Sequence, residues 1–404
     1  MLPPDCATIP GVRLLPAILA SLALTSGARA QDDFPRCLSG LQDEARQAGV
    51  TRSTYARLTA PLKADPSVLE LLDNQPEFRT PIWDYLAALV DNERIADGRA
   101  MLEHWKPELA EVERRYGVDP ATVVAVWGVE SNYGRNFGQR PVLTSLATLA
   151  CYGRRQDYFR GELYAAMKIV QRGDLAADDM VGSWAGAFGH TQFMPSTYLR
   201  LAQDFDGDGR RDLAGNVPDA LASTANFLVQ AGWRRGQPWG YEVGLPPGFD
   251  ASRAGRRARR SLADWQAAGI RRIDGGVLEG PASGAAVLLP AGTAGPAFVV
   301  FRNFNAIYSY NAAESYALAI AHLADRLRGG SPFATPWPTD DPGLSRAERR
   351  ELQTLLLARG HAIGAVDGML GAASRAAIKV EQQRLGMPVD GRAGQQLLAR
   401  LRVR

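Results

Sequence analysis

Cysteine and histidine are scarce in this chain, at three and four in 404 residues. No two histidines stand at a metal-ligand spacing, which argues against a metalloenzyme. Charge of one sign is also lacking. Lys and Arg number 46 against 43 Asp and Glu, a formal net charge of +3, so nothing in the balance points to nucleic acid. One stretch is strongly basic: Arg253, Arg256, Arg257, Arg259 and Arg260. It reads as a solvated face, with contact to an anionic polymer as the alternative. No long hydrophobic run is present either. The apolar stretch from Leu14 to Leu24 is shorter than the ~20 residues a membrane helix needs. What remains, 46% hydrophobic and 22% charged, is the composition of an ordinary globular protein.

That apolar stretch follows Arg13 and ends in small residues up to Ala30, which reads as a secretory signal peptide over 1–30 with Gln31 as the mature N-terminus. No cysteine stands after it in a lipid-attachment context, so the mature protein is expected to be exported, periplasmic and soluble. Cys6 leaves with the leader. Cys37 and Cys151 remain, and in an oxidising compartment they form a candidate disulfide, two free buried thiols being the alternative.

Residues 31–404 exceed one simple core. From 35 to 235 the pattern is helical, with stripes over Trp83–Leu89, Gly98–Arg115, Pro120–Ser131, Tyr158–Gln171 and Asp219–Ala231. About 236–304 the texture changes. Glycine, proline, tryptophan and short runs such as Ala285–Leu289 and Phe298–Phe301 predict a small β-rich insertion. Helix returns at Ser315–Leu327. The Gly- and Pro-rich stretch 329–344 is a linker. Residues 345–404 then form a unit with an internal repeat. Val366–Gly371 is echoed by Val389–Gly394, and each Asp-Gly turn precedes a helix, Ala372–Gln382 and Gly394–Leu401.

The most informative segment is Gly128-Val129-Glu130-Ser131-Asn132-Tyr133-Gly134. Asp119 is a good N-cap and Pro120 suits the first helical position. Val123, Val126, Trp127 and Glu130 then share one helical stripe. A carboxyl beside Val126 and Trp127 is poorly solvated, which favours its neutral form. A carboxylic acid still protonated near neutral pH is what glycosidic cleavage needs. The alternative is a structural glutamate, paired with an arginine or turned to solvent.

Four more stretches accompany Glu130. Arg154 and Arg155 precede Tyr158 and Phe159. Gly182 to Pro195 mixes glycine and aromatics with Ser183, His190 and Gln192. Trp233 and Trp239 flank a turn, and Tyr308, Tyr310, Asn311 and Tyr316 cluster near a helix start. Aromatic faces beside amides and hydroxyls suit a sugar chain, whose rings have apolar faces and polar edges.

In this order these motifs resemble the lytic murein transglycosylase B family, of the soluble, membrane-free type, from about Cys37 to Leu327. The resemblance implies a lysozyme-like helical catalytic domain over 31–328. It also implies cleavage of the MurNAc–GlcNAc β-1,4 bond of peptidoglycan, leaving a 1,6-anhydro-MurNAc end. The catalytic glutamate of the motif falls on Glu130. Substrate-contacting positions fall on Arg154, Arg155, Tyr158, Ser183, Gln192, Tyr310, Asn311 and Tyr316. His190 departs from the family pattern and receives no role. The unit at 345–404 is similar to the three-helix peptidoglycan-binding domain appended to cell-wall enzymes. Catalysis needs no cofactor. The expected partner is the glycan strand, other cell-wall enzymes stay open as partners, and a monomer is expected.

Two other readings remain. A water-using muramidase would need a second carboxylate, for which Asp157 and Glu162 are the nearby candidates. A non-catalytic peptidoglycan-binding scaffold would use the C-terminal repeat alone. Finally, Asp204, Asp206, Asp208, Arg210 and Asp212 fall at positions 1, 3, 5, 7 and 9 of a calcium-type loop, with Gly209 at position 6. Gly215 replaces the glutamate at position 12, and Asp219 is the candidate to close the shell. Calcium there would be structural; a metal-free Asp/Gly turn is the alternative.

Overall fold

The computed structural model describes residues 33–72 and 80–403. The signal-peptide reading of residues 1–30 lies outside the described residues. The described chain is mainly helical, with a four-stranded sheet, a two-stranded pairing of Arg140–Pro141 with Val181–Gly182, and a C-terminal three-helix unit.

The helix Pro120–Ser131 runs through the middle of the body. Asp119 caps it by accepting from the Thr122 backbone N–H at 3.0 Å. It is buried on nearly every side, from Ala121 through Gly128, rather than along a single stripe. A helix apolar all round is a core helix. Around it pack Asn92–His104, Lys106–Tyr116, Val217–Gln230 and Glu314–Leu327. A second apolar cluster is built on Val142–Tyr152 and Gln156–Arg172. Phe227 and Tyr310 pack against both clusters and so mark the seam between them.

The stripe expected over Gly98–Arg115 is two helices, Asn92–His104 and Lys106–Tyr116, which change direction at Trp105. Pro107 explains the break. It has no N–H for the carbonyl of Glu103, and its ring would clash there. The other correction is at the end of the β-rich stretch. Helix begins at Arg302, not Ser315, because Phe304, Ala306 and Ile307 are drawn into the core. This helix, Arg302–Asn311, and the next, Glu314–Leu327, carry the tyrosines of the candidate site.

The sheet is antiparallel, in the order Arg271–Arg272, Gly240–Gly244, Ala297–Val300, Ala286–Leu288. Gly240 pairs with Val300, and Ala286 pairs with Val300 on its other side. Ala286, Leu288, Phe298 and Val300 face the helical core, while Val287 and Val299 face Trp265 and Phe301. Both faces are therefore covered, which explains the continuous apolar runs. The basic stretch is knitted into this subdomain rather than simply solvated. Arg256 stacks on Tyr308 at 3.7 Å, and Arg260 lies over Trp265 at 5.5 Å.

The Gly/Pro-rich stretch after Leu327 is strapped to the body. Phe333 stacks on His322 and meets Phe298, and Glu242 accepts the backbone N–H groups of Ala334 and Thr335 at 2.7 and 2.8 Å. Beyond it, helices Arg346–Ala358, Ala372–Arg384 and Gln395–Arg402 enclose Leu352, Leu356, Ile378, Leu398 and Leu401. The sequence repeat has a structural counterpart. Buried Gln353 accepts from Gly368 N–H at 2.7 Å and donates to Asp367 at 3.0 Å. Gln382 does the same for Gly391 and Asp390, at 2.8 and 2.6 Å.

Candidate active site

Glu130 sits in the last turn of the central helix, just before that helix ends in a left-handed Asn132. The glycine at 128 lets the ring of Tyr133 fold back against the helix. A Cβ there would lie 2.6 Å from the ring. The Tyr133 hydroxyl then donates to the Arg94 carbonyl at 2.8 Å.

Glu130 keeps some accessible surface, yet protein crowds its carboxyl, and burial raises its pKa to about 8. A hydrogen bond from the Tyr316 hydroxyl to Oε1 works in the opposite direction by favouring the carboxylate. Tyr316 is buried and stacks on Tyr310 at 6.3 Å. The Tyr310 hydroxyl donates to the Thr191 carbonyl at 2.8 Å, and its ring packs on Phe227 at 4.4 Å. Burial and the nearby Glu130 both push the two phenols well above their usual range, so both are neutral donors.

The next wall is the Gly-rich loop. Gln192 has a left-handed backbone and donates from Nε2 to the carbonyls of Gly189 and Phe137, at 2.9 and 3.2 Å. It thereby joins this loop to the segment after Glu130. Ser183 closes its own turn, its hydroxyl accepting from Ala187 N–H at 3.0 Å. Asn311 is exposed at the end of its helix.

Arg154, Arg155 and Tyr158 form a separate group on the other lobe. The Arg155 guanidinium lies 4.4 Å over the Tyr158 ring, and Arg154 donates to the Leu72 carbonyl at 3.5 Å. The Tyr158 ring also meets Phe159 edge-on at 5.1 Å. Among the described residues, the non-glycine residues at positive φ are Asn132, Tyr133, Arg155, Gln192 and Ala312. Asn132 and Tyr133 form the turn just after Glu130 and Ser131, Arg155 and Gln192 are sequence-derived substrate positions, and Ala312 follows Asn311. Such conformations cost about 1–3 kcal/mol each and gather where a site demands them.

His190, left without a role by the sequence, turns out to be a strut. Trp127 donates from its indole to His190 Nδ1 at 2.9 Å, and Ser131 donates to the His190 carbonyl at 2.9 Å. Burial lowers the His190 pKa to about 4, so the ring is neutral with its proton on Nε2. It binds the Glu130 helix to the Gly-rich loop. The signal was available in the sequence, since Trp127 stands three residues before Glu130, but the pairing spans 63 positions.

Of the two carboxylates considered as water-holding partners, Glu162 is engaged elsewhere and Asp157 stands in solvent. Glu162 is buried and accepts from Ser196 N–H and hydroxyl at 2.8 and 2.6 Å, capping the helix Pro195–Leu201. Asp157 is almost fully exposed beside Arg160. Cys37 and Cys151 are bonded to each other.

In the acidic loop, oxygens of Asp204, Asp206 and Asp219 lie within 4.8 Å of one another. Asp208 and Asp212 fall outside that group: Asp208 accepts from Arg210 N–H and Asp212 from Ala214 and Gly215 N–H. Asp219 is buried, and its carboxyl is raised to about 6, first by burial and then by the charges of Asp206 and Asp204. A hard divalent cation would relieve that crowding, so the donor set fits calcium.

A transglycosylase SLT domain model matches residues 33–325, and a peptidoglycan binding domain model matches 345–401. Membrane-bound lytic murein transglycosylase B of Escherichia coli K12 is 31% identical over 297 residues, covering 68% of this chain and 78% of that protein. The crystal structure of SltB3 from Pseudomonas aeruginosa in complex with NAG-anhNAM-pentapeptide superposes with a TM-score of 0.74 and 48% identity, over 92% of this chain and 99% of that one. The Escherichia coli lytic transglycosylase Slt35 in complex with calcium gives 0.62 and 29% identity, over 74% and 93%.

Proposed function

The chain belongs to the transglycosylase SLT domain family, and we propose that Glu130 carries its reaction alone, as acid and then as base. The protein is a peptidoglycan lytic transglycosylase, a lyase acting on the murein glycan strand. The observation that supports the role of Glu130 is its crowded carboxyl, neutral to about pH 8 and hydrogen-bonded to Tyr316, while Glu162 is bound to Ser196 and Asp157 stands in solvent beside Arg160.

In the first step Glu130 gives its proton to the glycosidic oxygen as the bond to C1 of MurNAc breaks. The carboxylate left behind is steadied by the Tyr316 hydroxyl. It then takes the proton of the sugar's own C6 hydroxyl, whose oxygen closes onto C1. Glu130 is thereby reprotonated and the product is a 1,6-anhydro ring. No water and no protein nucleophile enter. The positive charge that builds at C1 is met by the substrate's N-acetyl oxygen, with Ser183 and Asn311 as its positioning groups. Gln192, Tyr310, Arg154, Arg155 and Tyr158 are the remaining substrate contacts of this reading.

The domain reading is a catalytic domain at 31–328, a linker at 329–344 and a peptidoglycan-binding domain at 345–404. Export to the periplasm rests on the leader sequence, and the bonded Cys37 and Cys151 support it. Among the described residues no helix is long and apolar enough to cross a membrane. A structural calcium would be held by Asp204, Asp206 and Asp219, with Asp208, the Arg210 carbonyl and Asp212 as the other loop donors. It would supply charge neutralisation that fixes the loop, and no step of the reaction. The protein acts as a monomer in this reading.

The decisive test is digestion of purified sacculi with wild type and Glu130→Gln, followed by mass analysis. Anhydro ends are one water lighter than hydrolysed ends. Wild type is expected to give the lighter products and the variant none. Hydrolysed ends would instead favour a muramidase, and an active Glu130→Gln would remove the assignment.

A further inference from the structure

The C-terminal three-helix unit is fastened to the helical body through arginines. Arg392 forks onto Asp84 at 2.7 and 2.8 Å, Arg350 donates to Glu93 at 2.5 Å, and Arg349 donates to the Ala88 carbonyl at 3.0 Å. Arg346 does more. From one guanidinium it donates to Glu93 at 3.1 Å, to Asp97 at 3.2 Å and to the side-chain oxygen of Asn132 at 2.7 Å. Its side chain is 12% exposed.

Asn132 is the residue that ends the Glu130 helix. Its backbone is left-handed, with φ of 50°, and its N–H closes onto the Gly128 carbonyl at 3.1 Å. A non-glycine residue stays in that conformation only when its surroundings hold it. Buried Arg94 donates to the same Gly128 carbonyl from the body side. Two guanidinium groups therefore grip the last turn of the helix that carries Glu130, one from each part of the molecule. Guanidinium is suited to this task, because its rigid fork of donors reaches several acceptors at once, and a cation opposes the partial negative charge at a helix C-terminus. The contact continues along the chain, where Asn136 donates to the sulfur of Met369 at 3.4 Å.

We propose that Arg346 is a positioning residue for Glu130, so that the C-terminal unit completes the catalytic helix as well as binding the wall. The proposal rests on Glu130 being the catalytic acid. Its physical basis is geometric. Proton transfer needs the carboxyl within hydrogen-bond reach of two different oxygens in turn, and a misplacement of about 1 Å can cost ~100-fold in rate.

The test uses the full-length chain and kcat and KM on a short soluble glycan fragment carrying the scissile bond, with sacculi in parallel. Arg346→Ala is expected to lower kcat on the fragment about tenfold, with KM unchanged within about twofold. Asn132→Gly removes the same contact while leaving a residue that adopts the left-handed backbone freely, and is expected to lower kcat comparably. The double variant is expected to be no worse than the worse single one, as for two ends of one interaction. Arg350→Ala, which loses an ion pair to Glu93 away from the helix end, is expected to keep wild-type kcat. Wild-type kcat in Arg346→Ala, a loss confined to KM, or an equal loss in Arg350→Ala would overturn the proposal. Glu130→Gln is assayed alongside on the same fragment, so failure of the underlying assignment shows itself separately as retained activity.

Discussion

The Tyr316 hydroxyl donates a hydrogen bond to Oε1 of Glu130 across 186 residues of sequence, joining the helix Glu314–Leu327 to the helix Pro120–Ser131. This contact opposes the effect of burial on the acid. Burial raises the Glu130 pKa to about 8, and the Tyr316 hydrogen bond restrains that rise. The free enzyme needs Glu130 protonated, so kcat/KM is expected to be level at lower pH and to fall as pH passes about 8. In Tyr316→Phe the carboxylate loses its donor. The alkaline fall is then expected to move to higher pH, and kcat at pH 7 to drop about tenfold as the base loses its orienting partner. A pH series of anhydro-product release checks both. An alkaline limb that stays in place would show that Tyr316 does not tune the acid.

The same raised pKa is a statement about stability. The native protein holds the Glu130 proton to about pH 8, while an unfolded glutamate releases it near 4.5. Between those values the folded state binds more protons, so this contribution is present below about 4.5 and is lost as pH rises towards 8. Glu130→Gln keeps the neutral shape without the ionisation. It is expected to be more stable than wild type at pH 7, by about 2–3 kcal/mol, with the gap closing near pH 4.5. Thermal midpoints of the two proteins across that range decide it. A variant equally stable at both pH values would count against a protonated native Glu130.

His190 offers a test of the strut. His190→Ala leaves the Trp127 indole N–H buried without its acceptor, at a cost of about 1–3 kcal/mol. The loss is expected to lower both the thermal midpoint and kcat, and His190→Gln, which can still accept, is expected to recover part of each. His190 is already neutral above about pH 4, so the activity profile between pH 5 and 8 is expected to keep its shape. The stability profile differs. The lowered pKa gives wild type a contribution present above about 6.5 that fades as pH falls to about 4, and the alanine variant lacks it.

The acidic loop predicts a response to calcium. Millimolar calcium is expected to raise the unfolding midpoint by about 3 °C or more, and a chelator to reverse the gain. Asp206→Ala removes one of the three converging carboxylates and is expected to abolish the shift. Activity of wild type with and without chelator at low temperature is expected to be similar, since the ion serves only the fold. No shift with calcium in the wild type would leave the loop as a metal-free turn.

Much of this protein was legible from its sequence because the deciding forces were local. The Asp119 cap, Pro120 and the left-handed turn at Asn132 and Gly134 act within a few residues, so the helix bearing Glu130 could be bounded from its text alone. The two Asp-Gly turns and the apolar sheet strands were readable for the same reason. Where a local rule was overlooked, as with Pro107, the expected helix was too long. The partners of Glu130 were a different matter. Tyr316, His190 and Arg346 reach it or its helix across 186, 63 and 214 positions, and nothing in their own neighbours announces the meeting. The residue types fixed which chemistry was available: one acid, several neutral donors and no metal-type histidine pair. Only the packed chain decided which carboxyl lost its water and which ones kept it. Desolvation is a property of everything that surrounds a group, and for Glu130 those surroundings are brought together by the fold.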